Sequence, residues 1–438
     1  MIGLIFVRAI PERIMDVHNK INIFENILKV KLLTHEIFNI LVFTQSSDFM
    51  SLSKTISEIN NIDGVESITH AILFGPEGRP DAATVLKDEK ARVTLARYFD
   101  VIRDNKPAKF LIAKKNKANF NRESSLVELW RIHDQLTEEF YILEREIDTH
   151  EKSLELLKKM KKPEISYLDL KIEIAKRILT SCILCVRRCG VNRLEGELGD
   201  CKCGAEVVLS SASKHWGEEA ELTPSGAIFT MGCNLHCRHC ANWKTSQWIK
   251  KGEVYSEEKM ARVVENLRRS GCRNAFLTGE PTPWLKHWLE TFKHVSVNTP
   301  VVWNSNSYYS EETSKLLSGF VDLYVLDFKY GSNKCAERIS DAPKYWETCT
   351  RNIMYGKRFG ELIVRVLILP GHHECCTEKR LNWIANNLGK DARTNLVLLY
   401  QPTWRSSEIP ELQRRLTIGE MERTVELAEV IGLTNLIK

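Results

Sequence analysis

Ten consecutive residues, Met231-Gly232-Cys233-Asn234-Leu235-His236-Cys237-Arg238-His239-Cys240, put three thiols on one short loop in the spacing Cys233-x3-Cys237-x2-Cys240. Thiolates are soft ligands that suit iron–sulfur clusters, and a [4Fe–4S] cubane normally takes four of them. Three leave one iron without a protein ligand, and an open position is what separates a catalytic metal site from a structural one. The same trio, with His236 or His239 as fourth donor, would also close around zinc. A second group runs Cys182-x2-Cys185-x3-Cys189-x11-Cys201-x-Cys203, with Gly190, Gly196 and Gly199 permitting the tight turns that a metal loop needs. Cys182, Cys185, Cys189 and Cys201 make a four-thiol set with Cys203 as a fifth or a spare, and either a second iron–sulfur cluster or zinc fits them.

Further polar residues recur just after short apolar runs. Thr278-Gly279-Glu280-Pro281-Thr282 sets a carboxylate beside a glycine, where backbone can approach a ligand and the acid can accept bonds from an ammonium. Asn304-Ser305-Asn306-Ser307 ends another run, and Asp327-Phe328-Lys329 a third. Arg365 lies inside an apolar run, so burial makes a charge partner obligatory. His372-His373-Glu374-Cys375-Cys376 follows that run. Cys375 and Cys376 are read either as an inert pair or as a substrate contact and thiol hydrogen-atom donor. Cys272, Cys335 and Cys349 stand alone and are read as ordinary core or surface thiols.

The apolar runs that must carry these groups are Ala227–Thr230, Ala275–Leu277, Val301–Trp303, Leu323–Leu326, Leu362–Leu369 and Leu396–Leu399. They alternate with helical patterns, which predicts a parallel α/β barrel with its chemistry at the C-terminal strand ends. Residues 1–76 read β-α-β-β-α-β, a ferredoxin-like α+β order, with Ser47 or Asp48 capping the second helix. Gly75-Pro76-Glu77-Gly78 marks a boundary. Residues 77–165 form a helical connector. It holds one helix over 82–104 and a long helix opened by a Ser125-x-x-Glu128 capping box, whose heptad seam Leu129, His133, Leu136, Phe140 and Ile147 continues through His150 to Leu157. That helix is expected to pair with the 82–104 helix or a second subunit. Residues 166–210 are the cysteine-rich metal-binding segment and 211–438 the barrel. Lys106–Arg122 carries six basic residues and no acidic one, a pattern of nucleic-acid contact or of a solvated linker.

At 438 residues the chain is long enough for two or three domains, and 43% hydrophobic with 27% charged residues is a globular composition. A net charge of +5 is small for this size and does not by itself imply a dominant polyanionic partner. Eight of the thirteen cysteines fall within 182–240, which points to metal ligation in a reducing compartment rather than to disulfides. No apolar run approaches the ~20 residues that span a bilayer, so no membrane association and a cytoplasmic location are expected.

The segment from Tyr167 onward resembles the radical S-adenosylmethionine (SAM) enzymes, in a branch related to pyruvate formate-lyase activating enzymes. The resemblance rests on Cys182–Arg193, the trio, Gly279-Glu280-Pro281-Thr282, Trp303-Asn304-Ser305-Asn306, Asp327-Phe328-Lys329-Tyr330-Gly331 and Leu369–Thr377. It implies a partial (βα)6-type barrel and a [4Fe–4S] cluster on Cys233, Cys237 and Cys240 whose open iron chelates SAM. Reductive cleavage then yields a 5′-deoxyadenosyl radical for hydrogen abstraction. In that family Glu280 would hold the SAM amino group, Ser305 and Asn306 would face the ribose, Lys329 of the Asp327-x-Lys329 signature would approach the carboxylate with Asp327 as cofactor contact or ordinary ion-pair partner, and Arg365 would face SAM. An electron donor such as flavodoxin or ferredoxin is implied. Two departures qualify the activating-enzyme reading: the extra cysteines lie upstream of the trio, and the N-terminal region is an addition. The addition suggests a recruited protein or RNA, or a dimer formed through 1–76 or the heptad helix. Modification of a peptide or RNA is the alternative within this class, and a zinc-stapled nucleic-acid or protein binding module is the alternative outside it.

Overall fold

The computed structural model describes residues 2–35, 37–46, 49–73 and 79–437. The first unit is β1 (Ile2–Ala9), α1 (Ile14–Ile21), β2 (Ile27–Leu32), β3 (Ile40–Gln45), α2 (Phe49–Asn60) and β4 (Val65–Leu73). Its strands lie in the order β2-β3-β1-β4, every neighbouring pair antiparallel. Alternation along the strands turns Ile5, Val7, Ala9, Ile40 and Val42 to one face. There they meet Val17 and Ile21 of α1 and Leu52, Ile56 and Ile59 of α2 in a core of their own. The cap expected at Ser47 or Asp48 and the boundary turn at 75–78 lie outside the described residues.

The connector is more broken than its pattern predicts. It contains α3 (Pro80–Thr84), α4 (Glu89–Thr94), α5 (Ala96–Ile102), α6 (Lys109–Ala113), α7 (Leu126–Asp148), α8 (Ser153–Lys159) and, leading to the cysteines, α9 (Tyr167–Ile178). The single helix expected over 82–104 is three, interrupted at Asp88, which caps α4, and at Leu95, whose φ of −119° is not helical. Ser125 does cap α7, accepting from Glu128 N at 3.2 Å. The Glu128 carboxylate turns to Arg131 instead of closing a capping box. The seam residues Leu129, His133, Leu136, Phe140 and Ile147 are buried, but α7 stops at Asp148 and His150 is exposed; the seam packs on α9 and the barrel, and Glu144 and Asp148 of the same helix pair with Arg97 of the 82–104 region.

The barrel consists of β5 (Val208–His215), β6 (Ser225–Thr230), α10 (Trp243–Ser246), β7 (Glu253–Val254), α11 (Glu257–Arg269), β8 (Ala275–Thr278), α12 (Leu285–His294), β9 (Val301–Ser305), α13 (Glu311–Leu317), β10 (Leu323–Phe328), α14 (Asn333–Ser340), α15 (Tyr345–Phe359), β11 (Glu361–Leu367), α16 (Lys379–Asn387), β12 (Thr394–Val397), α17 (Ile418–Ile431) and β13 (Leu436–Ile437). The sheet order is β13-β12-β11-β10-β9-β8-β6-β5-β7. From β6 to β13 all pairs are parallel and spatial order follows chain order, the one-way winding of a βα barrel left open at its edges. Three strands escaped the sequence pattern: β5 and β7, which add antiparallel, and the two-residue β13.

Strand alternation divides the barrel into two faces. Ile228, Leu277, Trp303, Leu326 and Val364 face the helices in the main core. Ala227, Phe276, Val302, Val325 and Ile363 face inward and meet Leu95, Tyr98 and Phe99 of the α4–α5 region. Arg97 beside them pairs with Asp322, Glu144 and Asp148, and the Glu361 carboxylate accepts the backbone N–H groups of Arg97 and Tyr98. Asp322 immediately precedes β10 and Glu361 begins β11, so α4 and α5 floor the barrel at its N-terminal end. The basic stretch is absorbed in the same packing: the ammonium groups of Lys109, Lys114 and Lys115 bond to the carbonyls of Phe359, Val295 and Met160. A free polybasic strip, one leg of the zinc-module alternative, does not form from these three lysines.

Candidate active site

The parallel strands β8, β9, β10 and β11 deliver Thr278, Ser305, Asp327 and Arg365 at or near their C-terminal ends, and the parallel register sets these groups side by side. Asp327 on β10 lies opposite Arg365 on β11, which lies opposite Asn395 on β12; Leu326 pairs with Ser305 at the end of β9. The resulting cleft of about 410 Å³ is lined by Cys233, Cys237 and Cys240, by Glu280, Asn304, Ser305 and Asn306, and by Asp327, Lys329 and Arg365. That volume lies within the range of small-molecule sites. All the cluster and SAM-facing candidates named from the sequence therefore converge on one cavity. Tyr400, Gln401 and Thr403, which no pattern singled out, complete its rim.

The trio follows directly on β6. Gly232, at φ +83°, turns the chain where a Cβ would collide with the Cys203 sulfur. Leu235 N donates to Cys233 Sγ at 3.4 Å and Asn306 Nδ2 to the same sulfur at 3.5 Å. Burial, and then the Glu280 carboxylate, push the Cys233 thiol well up; burial pushes Cys237 up to about 11 against the opposing pull of Lys329. Such thiols need a cation to ionise, and a coordinated metal deprotonates a thiol outright. Three soft donors on one loop, opening on a polar cleft, fit a cluster with a free coordination position.

Glu280 is buried and held by three donors, one of them shared between its two oxygens. Its Oε1 accepts from Thr282 N (3.1 Å) and Ser305 Oγ (3.0 Å), and its Oε2 from Asn306 N (2.9 Å) and Ser305 Oγ (3.3 Å). Burial nevertheless raises its pKa. Gly279 carries φ +93° and packs on the backbone of Thr230, so only a residue without a side chain brings Glu280 this near the trio loop. Lys329 and Asp327 form an ion pair at 2.5 Å. Burial opposes the Lys329 charge, but Asp327 and the Cys237 sulfur outweigh it and raise its pKa. Arg365 finds its obligatory partners in Glu218 and Glu219 at 2.5 Å each, and its Nη1 donates to Asn304 Oδ1 at 2.9 Å. Burial alone would raise the Glu219 carboxyl; Arg365 overrides it and holds it at about 2.

The second cysteine group packs beside the trio loop. The Cys189 and Cys201 sulfurs flank the open side of Gly199, and Cys182 and Cys185 feel the charges of both. Burial raises Cys185 to about 12, while a hydrogen bond from Cys203 brings Cys201 down to about 6. Cys203 itself is fully buried and directs its thiol to the carbonyls of Cys201 and Met231. Buried Arg193 fastens this segment to the loop after Glu280 by donating to Pro283 O and Gly204 O. Arg187 and His236 share Asp200 across to the trio.

Cys375 and Cys376 do not line the cleft. Their sulfurs turn away to Cys335 and His372, so the reading of Cys335 as an isolated thiol gives way to a four-residue cluster. Cys272 and Cys349 are buried, as expected of core thiols.

An open, one-way parallel barrel with three cysteines at the mouth of its first parallel strand defines the class, and comparison with known proteins agrees. Residues 227–384 match the model of the Radical SAM superfamily. The uncharacterized protein MJ0674 of Methanocaldococcus jannaschii is 39% identical over 345 residues, 77% of this chain and 98% of that protein. The uncharacterized protein MJ0808 of the same organism is 24% identical over 281 residues, covering 57% and 81%. Among solved structures, Streptococcus suis SuiB bound to precursor peptide SuiA aligns at TM-score 0.34 and 12% identity over 45% of this chain and 43% of that one, too slight a likeness to indicate function. The chain belongs to the radical SAM superfamily. Membership implies an enzyme, a [4Fe–4S] cluster and SAM. Among the described residues no helix is long and apolar enough to cross a membrane.

Proposed function

We propose that this protein binds a [4Fe–4S] cluster through Cys233, Cys237 and Cys240 and uses it to cleave SAM reductively for hydrogen abstraction from a substrate. The observation that carries this reading is the convergence of the three thiols with Glu280, Ser305, Asn306 and Lys329 on one cleft. The cluster supplies the electron that breaks the sulfonium and releases a 5′-deoxyadenosyl radical. The chain supplies position. Glu280, already desolvated, meets the ammonium of SAM; Lys329 meets its carboxylate; Ser305 and Asn306 orient the ribose. Arg365, neutralised by Glu218 and Glu219, acts by fixing Asn304 rather than by offering a free charge.

Within this reading the reaction is activating-enzyme-like, a hydrogen taken from a partner protein, with modification of a peptide or RNA as the competitor. The four cysteines Cys182, Cys185, Cys189 and Cys201 hold a second metal centre, and ferredoxin or flavodoxin serves as the reductant. The test is anaerobic incubation of cluster-reconstituted protein with SAM and dithionite, assayed for 5′-deoxyadenosine. Wild type should form it and Cys233→Ala should not. A reconstituted wild-type protein that carries a cluster and binds SAM yet forms no nucleoside, with or without added reductant protein, would overturn the reading.

A further inference from the structure

Outside the cleft, Cys335, His372, Cys375 and Cys376 present one ligand atom each, all within 4.8 Å of one another. Cys335 sits in the first turn of α14. The other three lie on the turn after β11, where a π-helical stretch at His373–Glu378 sets Cys375 and Cys376 three and four residues past His372 and so on its face. Two sulfur pairs, Cys335–Cys375 and Cys375–Cys376, are 3.8 Å apart, and His372 Nδ1 stands 3.3 Å and 3.8 Å from the Cys375 and Cys376 sulfurs. A tetrahedral zinc ion with ordinary Zn–S and Zn–N bonds requires edges of about 3.8 Å between sulfurs and about 3.6 Å between sulfur and nitrogen.

Two surrounding features point the same way. The far nitrogen of His372 faces the Glu411 carboxylate at 3.2 Å and, at 3.4 Å, the Arg338 guanidinium that the same carboxylate pairs with; donation to Glu411 is the carboxylate–imidazole arrangement that leaves Nδ1 as the acceptor a metal ligand needs. Arg380 is fully buried and donates to the carbonyls of Cys376, Phe328, Lys329 and Leu367 and to the Thr377 hydroxyl; among the described residues it forms no ion pair with a carboxylate. A buried guanidinium calls for a counter-charge. A divalent ion held by three thiolates and one neutral imidazole carries a net charge of minus one, next to Arg380.

We propose that Cys335, His372, Cys375 and Cys376 form a tetrahedral Cys3His site for zinc, separate from both cysteine groups upstream. Binding expels three thiol protons to solvent and closes the ion with four protein ligands, so the centre is structural rather than catalytic. It clamps α14 to the turn after β11. The last turn of α14 accepts His236 N and Arg238 N from the trio loop at Ser340 O and Ile339 O, so the clamp steadies the platform on which the cluster loop rests.

The test is elemental analysis of the full chain, isolated anaerobically with zinc in the medium, as wild type, Cys335→Ser, Cys375→Ser and Cys185→Ser. The expected result is one zinc equivalent fewer per chain in Cys335→Ser and Cys375→Ser with iron unchanged, while Cys185→Ser loses only the metal of its own centre, and a Cys185→Ser/Cys335→Ser double variant holds one zinc equivalent fewer than Cys185→Ser. Equal zinc in wild type and in a folded Cys335→Ser protein overturns the proposal. So does loss of iron instead of zinc, or a disulfide among these cysteines in the anaerobic wild type. Should the serine variants fail to fold, zinc-edge X-ray absorption of the wild type decides: imidazole in a sulfur-dominated shell supports the site, and a shell of sulfur alone or no bound zinc overturns it.

Discussion

Glu219 is the residue on which the inner wall of the cleft depends. Its carboxylate holds Arg365, Arg365 holds Asn304, and Asn304 donates to Thr278 Oγ1 at 2.7 Å. Removing one member of a buried pair strands the other charge, at a cost of about 3–5 kcal/mol. Glu219→Ala should therefore lower the unfolding free energy by about that much in urea titrations, although Glu218 retains one contact to Arg365. An effect under about 1 kcal/mol would mean that Glu218 alone suffices. The depressed Glu219 carboxyl contributes stability above the ordinary glutamate range, and that stability is lost as pH falls toward about 2. Gly279→Ala is a sharper test of the cleft itself. A Cβ there meets the Thr230 backbone at a φ that costs a side chain about 1–3 kcal/mol, and it forces Glu280 away from the trio loop. At least a tenfold loss of 5′-deoxyadenosine formation is expected, with the cluster's visible absorbance retained. The cleft lining was legible because its residues follow short apolar runs. Glu218 and Glu219 were not, since they lie in the loop between β5 and β6 with no strand end to mark them.

At the scale of elements, α7 and α9 meet through a buried polar contact rather than a purely apolar seam. His133 Nε2 and Lys171 Nζ lie 2.8 Å apart beneath Tyr167, and burial holds His133 at about 3 and lowers Lys171 well below its usual value. The unfolded chain binds a proton at His133 near pH 6.5 and the folded chain does not, so this group removes stability as pH falls from about 6.5 toward about 3. Lys171, depressed in the same sense, adds to the loss from higher pH downward. The slope from one such group is at most about 1.4 kcal/mol per pH unit. His133→Gln, which keeps an acceptor for Lys171, should flatten the fall in urea midpoint between about pH 6.5 and about pH 5. An unchanged slope would remove His133 from the account. The buried face of α7 runs through Leu129, His133, Leu136, Phe140 and Ile147 at the spacing of the seam, because periodicity reports burial, while His150 falls beyond the helix. The heptad pattern did not identify the partner element, because α4, α5 and α9 all offer apolar faces and sequence spacing does not choose between them. The same limit hid the Cys3His cluster: Cys335 and His372 are 37 residues apart and meet only because α14 and the turn after β11 leave adjacent parallel strands.

The whole molecule holds one core within residues 2–73 and a shared packing that runs from the connector through the barrel. The core of residues 2–73 is closed, and its links to the rest include His70 to Gln401 at 2.9 Å and Arg415 to Ile68 O at 3.1 Å. A chain beginning at Arg79 keeps that residue's bonds to the Trp216 carbonyl and to Asp81, as well as the α4–α5 floor. A chain beginning at Lys106 loses Leu95, Tyr98 and Phe99, leaves the inward faces of Phe276, Val302, Val325 and Ile363 open to water, and strips Asp322 of Arg97. Re-exposing several large side chains at about 1.5–3 kcal/mol each amounts to on the order of 10 kcal/mol, comparable to the whole stability of a typical domain. The first truncation should therefore melt cooperatively within a few degrees of the full chain and still take up its cluster, whereas the second should fail to fold. If both fold, the floor is dispensable and residues 79–105 act only as a connector. If neither folds, the contacts of the first unit with the C-terminal segment carry more of the stability than their number implies, and the unit is part of the barrel rather than an addition to it.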